Sequence, residues 1–185
     1  MKIQIAGFSG SGKSTFASRL GAILNLHVIH LDAICLDTKW KNKPNEEIKA
    51  ILTPVLDSKD WIIDGNYRNI SINRYDDCDL LFYFNFNRFV CLYSAIKRNK
   101  TYRKERKKRA DAPLNVENKM TFEFFMWIIY EGRKKQRQKL REFKNKYNDK
   151  LIIFKNRSQV NKYLETFINL HNNIKEEKGE ETNGN

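Results

Sequence analysis

Gly7-Phe8-Ser9-Gly10-Ser11-Gly12-Lys13-Ser14 has the spacing G-x-x-x-x-G-K-[ST], a pattern suited to wrapping backbone around a phosphate group. Glycines let the chain curl until successive N–H groups converge on phosphate oxygens, and a helix starting there adds the positive end of its dipole. Lys13 then reaches the β- and γ-phosphates as a point charge, and the Ser14 hydroxyl ligates a Mg²⁺ ion bridging them. Thr15 adds a contact to the α-phosphate. The expected nucleotide-binding set is Gly7, Ser9, Gly10, Ser11, Gly12, Lys13, Ser14 and Thr15, with ATP and Mg²⁺ as ligands.

Phosphoryl transfer also asks for a carboxylate, to hold a metal-bound water or to take a proton from the attacking acceptor. Asp32 and Asp64 each close a predicted strand, and in an open α/β sheet the carboxyl ends of the strands border the ligand crevice. The alternative for each is a cap on the following helix. Asp64 is the preferred metal and catalytic residue, because Gly65 permits close backbone approach and Arg68 follows at once. Arg68 or Arg74 would anchor the acceptor's own anion through a bidentate fork, against the alternative of plain surface charge. Tyr67 and Trp40 either stack on an acceptor ring or sit half-buried in the core. Asp32, Asp64, Tyr67, Arg68 and Arg74 thus form the expected substrate set. Asn156 and Arg157, directly after the last predicted strand, are counted with the nucleotide-binding residues. His27, His30 and His171 lie in unrelated settings and receive no role.

The elements needed to position these residues follow from periodicity. Lys2 to Ala6 alternates polar and apolar and runs into Gly7, after which Phe16, Ala17, Leu20, Ile23 and Leu24 recur at helical spacing. His27–Leu31 and Trp61–Ile63 read as short strands and Asp79–Phe86 as the longest, with Leu151–Phe154 last. Helices are expected over Glu46–Leu56, interrupted near Pro54, and over Arg88–Thr101, Asn118–Tyr147 and Ser158–Asn169. Met120–Tyr130 reads as core helix. Strands alternating with helices predict a parallel sheet covered on both faces, a three-layer α/β domain over residues 1–174. Lys175 to Asn185 is polar and acidic, and reads as a flexible tail.

At 185 residues the chain can bury roughly two thirds of its unfolded surface around one core. Its mean hydropathy of -0.68 goes with an absence of any roughly 18-residue apolar run of the kind that spans a bilayer. Cys35, Cys78 and Cys91 make an odd number with no CxxC pair, so the reading is of buried thiols in a reducing cytoplasm rather than a disulfide framework or zinc site. The formal net charge is +13, a field that draws in anions of any kind. Residues 1–60 hold eight basic and six acidic residues, so the excess belongs to the rest of the chain. Lys97–Arg109 alone carries nine basic residues and one acid, and a second concentration runs from Arg133 to Lys150.

The loop in the form GxxGSGKST, then His30-Leu31-Asp32, then Trp61-Ile62-Ile63-Asp64-Gly65-Asn66-Tyr67 together resemble the adenylate-kinase-like P-loop proteins called DNA topology modulation protein FlaR. The resemblance covers about residues 1–170. It implies a nucleoside-phosphate-kinase fold, a parallel sheet in the order 2-3-1-4-5, and a lid over about residues 98–117. Arg109-Ala110-Asp111 is similar to the lid's R-x-D element, and on that basis Arg98, Arg103 and Arg109 are the candidate lid arginines. Arg98 would contact the nucleotide, with Arg103 and Arg109 catalytic. Two departures stand out: the stretch before Arg109 is richer in lysine, and strand 4 ends in Asn87-Arg88 rather than in an Asp. The implied activity is Mg-dependent transfer of the ATP γ-phosphoryl group to a nucleotide or other small acceptor, by a monomer or homodimer. The rival reading is a nucleotide-switched regulator whose basic second half grips nucleic acid.

Overall fold

The computed structural model describes residues 1–37, 41–67, 74–105, 126 and 128–182. The chain runs β1 (Lys2–Gly7), α1 (Lys13–Leu24), β2 (Val28–His30), α2 (Leu31–Cys35), α3 (Asn45–Asp57), β3 (Trp61–Asp64), α4 (Arg74–Asp77), β4 (Leu80–Phe84), α5 (Arg88–Glu105), α6 (Glu131–Lys146), β5 (Leu151–Phe154) and α7 (Arg157–Thr182). The five strands form one sheet in the order β2-β3-β1-β4-β5. Every neighbouring pair is parallel. Successive side chains on a strand point to opposite faces, and both faces are covered, so β3, β4 and β5 are almost wholly apolar, and Gln4 of the alternating β1 is buried. Ile3, Ile5, Ile62, Phe82, Phe84 and Phe154 pack with Phe16 and Leu20 of α1, Cys91 and Ala95 of α5, and Leu164 of α7. On the other face Ala6, Ile63, Leu81 and Tyr83 pack with Leu31 of α2, Ile48 and Leu52 of α3, and Phe143 and Tyr147 of α6.

Three expectations are corrected. Helix α3 is continuous through Pro54: the proline stands near its carboxyl end, where only one ladder bond is lost. Helix α5 continues to Glu105, so the start of the stretch expected as a lid is helical backbone, in keeping with the helix propensity of lysine and arginine. Helix α7 runs to Thr182, through most of the expected tail. Its Glu and Lys residues lose little rotamer freedom in a helix, which offsets their lack of apolar surface. The short helices α2 and α4 were not expected, because four or five residues are too few to show a period. Among the described residues no helix is long and apolar enough to cross a membrane.

Candidate functional site

Strand β1 ends at Gly7 and delivers the loop to the carboxyl edge of the sheet, where α1 begins at Lys13. Gly10 and Gly12 have φ of +77° and +93°, a left-handed conformation that costs other residues roughly 1–2 kcal/mol. A Cβ on Gly10 would stand 2.3 Å from the Cys91 carbonyl oxygen, whereas one on Gly12 would meet nothing within 4 Å. The loop therefore presses its Gly10 side against α5 and leaves the Gly12 side open. No side chain caps the first turn of α1, whose leading N–H groups have no partners within the helix. Open backbone donors at a positive helix end make an anion site.

The Phe8 carbonyl gathers the loop's own donors. It accepts from the Ser11 amide at 3.3 Å, the Ser11 hydroxyl at 2.7 Å and the Lys13 ammonium at 3.1 Å. Lys13 thus lies folded back along the loop. Ser14 and Ser9 are half-buried and Thr15 exposed.

The side chain of Asn66, which directly follows the β3 turn, holds the entry to this loop. Its Oδ1 accepts from the Gly7 amide at 3.0 Å and its Nδ2 donates to the Gly7 carbonyl, extending the ladder past its last backbone bond, Gly65 N–H to the Ile5 carbonyl at 3.0 Å. Lys139 of α6 in turn donates to the Asn66 carbonyl at 3.2 Å and to its Oδ1 at 3.3 Å. Sequence reasoning missed both residues. The Asn66-to-Gly7 bonds span 59 positions and the Lys139 bonds 73, and no local pattern marks such contacts.

Asp64 closes β3, as expected, and is 4% exposed. Gly65, Asn66 and Tyr67, which follow it directly, are not helical, so it does not act as a cap. Its Oδ2 lies 3.0 Å from Nδ1 of His30, while its Oδ1 is buried and has no hydrogen-bond partner among the described residues. His30 and Asp64 are register partners across β2 and β3, and Asp64 is opposite Ile5 of β1. All three side chains therefore lie on the α1 face, with Asp64 two residues, about 7 Å along the strand, short of the level of Gly7. Leaving a buried carboxylate oxygen unpaired costs about 1–3 kcal/mol or more, and a hydrated cation is a partner that would remove the cost. The donor set of Asp64 and the Ser14 hydroxyl, both oxygens, suits Mg²⁺.

The other expected acid has different company. Asp32 stands in the first turn of α2, and the Tyr67 hydroxyl donates to its carboxylate. That hydroxyl is pushed far up from its usual value, first by burial, then by the Asp32 charge. Arg74 is 1% exposed, so it is no surface charge. Its Nη2 donates to the Tyr67 carbonyl and to the Tyr75 hydroxyl at 3.1 Å, and its Nε has no partner. Burial pushes the Cys35 thiol up to about 12, against the pull of the Arg74 charge and with the push of Asp32. Asp32, Tyr67, Arg74 and Cys35 therefore share one electrostatic neighbourhood.

Asn156 and Arg157 both have partners within the chain. The Asn156 Oδ1 accepts from the Gln159 amide at 3.0 Å and so caps α7, and the Arg157 Nη2 donates to the Ser94 hydroxyl at 2.7 Å. Arg98 is exposed on α5. Trp40, Arg68 and Arg109 lie outside the described residues, as does the side chain of Arg103. The second basic stretch supplies a basic stripe: Tyr130, Arg133, Lys134, Arg137, Gln138 and Arg141 share one face of the α6 segment. Arg137 beside Arg133, with Arg88 nearby, pulls the Arg133 guanidinium below its usual value. Gln136 fixes this helix on the sheet's carboxyl edge, donating to Asn85 Oδ1 at 3.3 Å, while the Tyr83 hydroxyl donates to the Gln136 carbonyl at 3.0 Å.

Sheet order, parallel strands and a glycine loop between β1 and α1 define the P-loop nucleotide-kinase fold. Solved structures with this fold include a shikimate kinase from Bacteroides thetaiotaomicron, 18% identical over 92% of this chain and 97% of that one, with a TM-score of 0.52. A deoxyadenosine kinase from M. mycoides with bound dATP is 14% identical over 93% of this chain and 100% of that one, with a TM-score of 0.54. The same enzyme with its products dCMP and dCDP gives 16% identity, 94% and 100% coverage and a TM-score of 0.51. No protein-family model and no curated protein sequence matches the chain.

Proposed function

We propose that the chain is a phosphotransferase that moves the γ-phosphoryl group of ATP to a small acceptor in the presence of Mg²⁺. The observation that carries this reading is the Gly7–Ser14 loop, bent by left-handed glycines so that uncapped N–H groups, Lys13 and Ser14 converge at the start of α1. The kinases that share the fold support it.

In this reading the loop amides and Lys13 bind the β- and γ-phosphates, and electrostatic positioning supplies most of the rate. Ser14 and Asp64 hold Mg²⁺, which neutralises charge on the phosphates and fixes their orientation. Asp32, hydrogen-bonded by Tyr67, is proposed to accept the acceptor's proton, and Arg74 holds the Tyr67 carbonyl. This divides the work of the two acids: Asp64 serves the phosphates and Asp32 the acceptor. Arg103 and Arg109 are proposed to neutralise charge on the transferring group from the lid.

The test is a transfer panel with Mg-ATP and nucleosides, nucleoside monophosphates or small hydroxy acids as acceptors, read as acceptor-dependent ADP release and a phosphorylated product by mass. Failure to bind ATP at millimolar concentration would refute the reading. The basic stripe along α6 favours one second reading, a nucleic-acid-binding regulator of the topology-modulation kind. That would show as duplex binding that weakens steeply between 50 and 200 mM salt, with no transfer to any acceptor.

A further inference from the structure

His30 is a residue to which the transfer reading gives no task, yet its placement is specific. It ends β2, is 8% exposed, and meets Asp64 through Nδ1 at 3.0 Å. Because a carboxylate oxygen accepts, the ring Nδ1 carries the hydrogen and donates it to Oδ2. One Asp64 oxygen is thereby occupied and the other, Oδ1, is left buried with no hydrogen-bond partner among the described residues. The pair is also rigid. His30 and Asp64 are adjacent in register on neighbouring strands, so neither Cα can shift without disturbing the ladder.

Resting on the transfer reading, we infer that His30 is a positioning residue for the metal: by fixing Oδ2 it orients the Asp64 carboxylate so that Oδ1 alone faces the hydrated divalent cation shared with Ser14. The physical reason is orientational. A carboxylate rotates about its last torsion, a broad two-fold well. Mg²⁺ demands near-octahedral geometry and usually keeps several waters, so a swinging carboxylate meets that geometry only part of the time. A ring N–H on one oxygen removes the rotation before the ion arrives. Partners that orient ligating groups in this way are typically worth 10–100-fold in metal affinity.

The experiment reads metal binding without turnover. A fluorescent ADP analogue is titrated into the intact chain with no metal and at a series of Mg²⁺ concentrations. In the wild type Mg²⁺ tightens binding, and the concentration giving half the effect is the measure. His30→Leu, similar in volume and without a donor, is expected to raise that concentration at least tenfold while leaving metal-free affinity unchanged. His30→Asn places an amide N–H near the position of Nδ1 and is expected to stay within about threefold of the wild type, both in the metal series and in thermal midpoint, even where the leucine variant is too unstable to assay. An unchanged Mg²⁺ requirement in His30→Leu would overturn the inference. So would an asparagine variant no better than leucine, or an equal loss of affinity with and without metal. A wild type that binds the analogue with no Mg²⁺ dependence would remove the metal from the transfer reading and this inference with it. A wild type that does not bind at all would refute the transfer reading itself.

Discussion

Asn66→Ala tests whether the loop's shape is set locally or held from outside. The substitution deletes the two bonds from the Asn66 amide to the Gly7 N–H and carbonyl and one of the bonds that Lys139 makes to the same residue. Each amide bond to Gly7 contributes about 1 kcal/mol net, so about 2 kcal/mol that favours the present entry angle of the loop is lost. Asn66 is itself exposed and the change leaves no cavity in the core, so overall stability should fall by no more than this amount. If the freed loop spends most of its time in other conformations, apparent nucleotide affinity falls by the fraction of time the binding shape is populated. Since 1.4 kcal/mol is tenfold, the ceiling is about 30-fold, and a loss between about 3-fold and 30-fold is expected. The assay is equilibrium binding of ADP beside urea denaturation of the same samples. Lys139→Met, which leaves Gly7's partners in place, should weaken ADP by less than Asn66→Ala. Nucleotide affinity within a factor of two of wild type in Asn66→Ala, with stability lowered by the full amount, would refute the idea that the clamp prepares the loop.

Four other outcomes are expected. Gly10→Ala should abolish ADP binding and lower stability by about 2–4 kcal/mol, since its Cβ would lie 2.3 Å from the Cys91 carbonyl in a left-handed conformation, as read by urea denaturation. Lys13→Ala should lower kcat at least 100-fold with the thermal midpoint moved by less than about 2 °C, because the half-buried ammonium bonds only to the loop. Asp64→Asn should lower kcat far more than it weakens metal-free ATP binding, and a larger effect of Asp32→Asn on Mg²⁺ dependence would reverse the division of the two acids. Burial raises Cys35 to about 12 and Cys78 and Cys91 to about 11. The stability tied to these thiols is therefore fully present below the unfolded value near 9. It is lost as pH rises toward the folded values, by about 1.4 kcal/mol per thiol one unit above, and urea midpoints at pH 8 and pH 10 compare the two conditions.

The sequence by itself determined what depends on neighbours in the chain. The phosphate loop is readable because the glycines, Lys13 and Ser14 act within eight positions, between a strand and a helix whose own periods are plain. The five strands are readable for a related reason: β1 alternates and runs into Gly7, the other four are short, largely apolar runs, and a sheet covered on both faces asks for little else. The strand order 2-3-1-4-5 came with the resemblance and is the order found; what the tertiary structure alone decided is which side chains those neighbours bring together. Inserting β3 between β2 and β1 brings His30 to Asp64, 34 positions away, and Asn66 to Gly7. Folding α6 onto the sheet's carboxyl edge brings Lys139 to Asn66. The fold also buries Arg74, which in sequence is one more charge in a polar stretch, and gives Asp64 the His30 ring and Asp32 the Tyr67 hydroxyl, two acids that in sequence look alike. Helical and strand periods are local properties of a few residues, whereas these contacts join positions whose separation carries no period, and only the order of strands in the sheet fixes them.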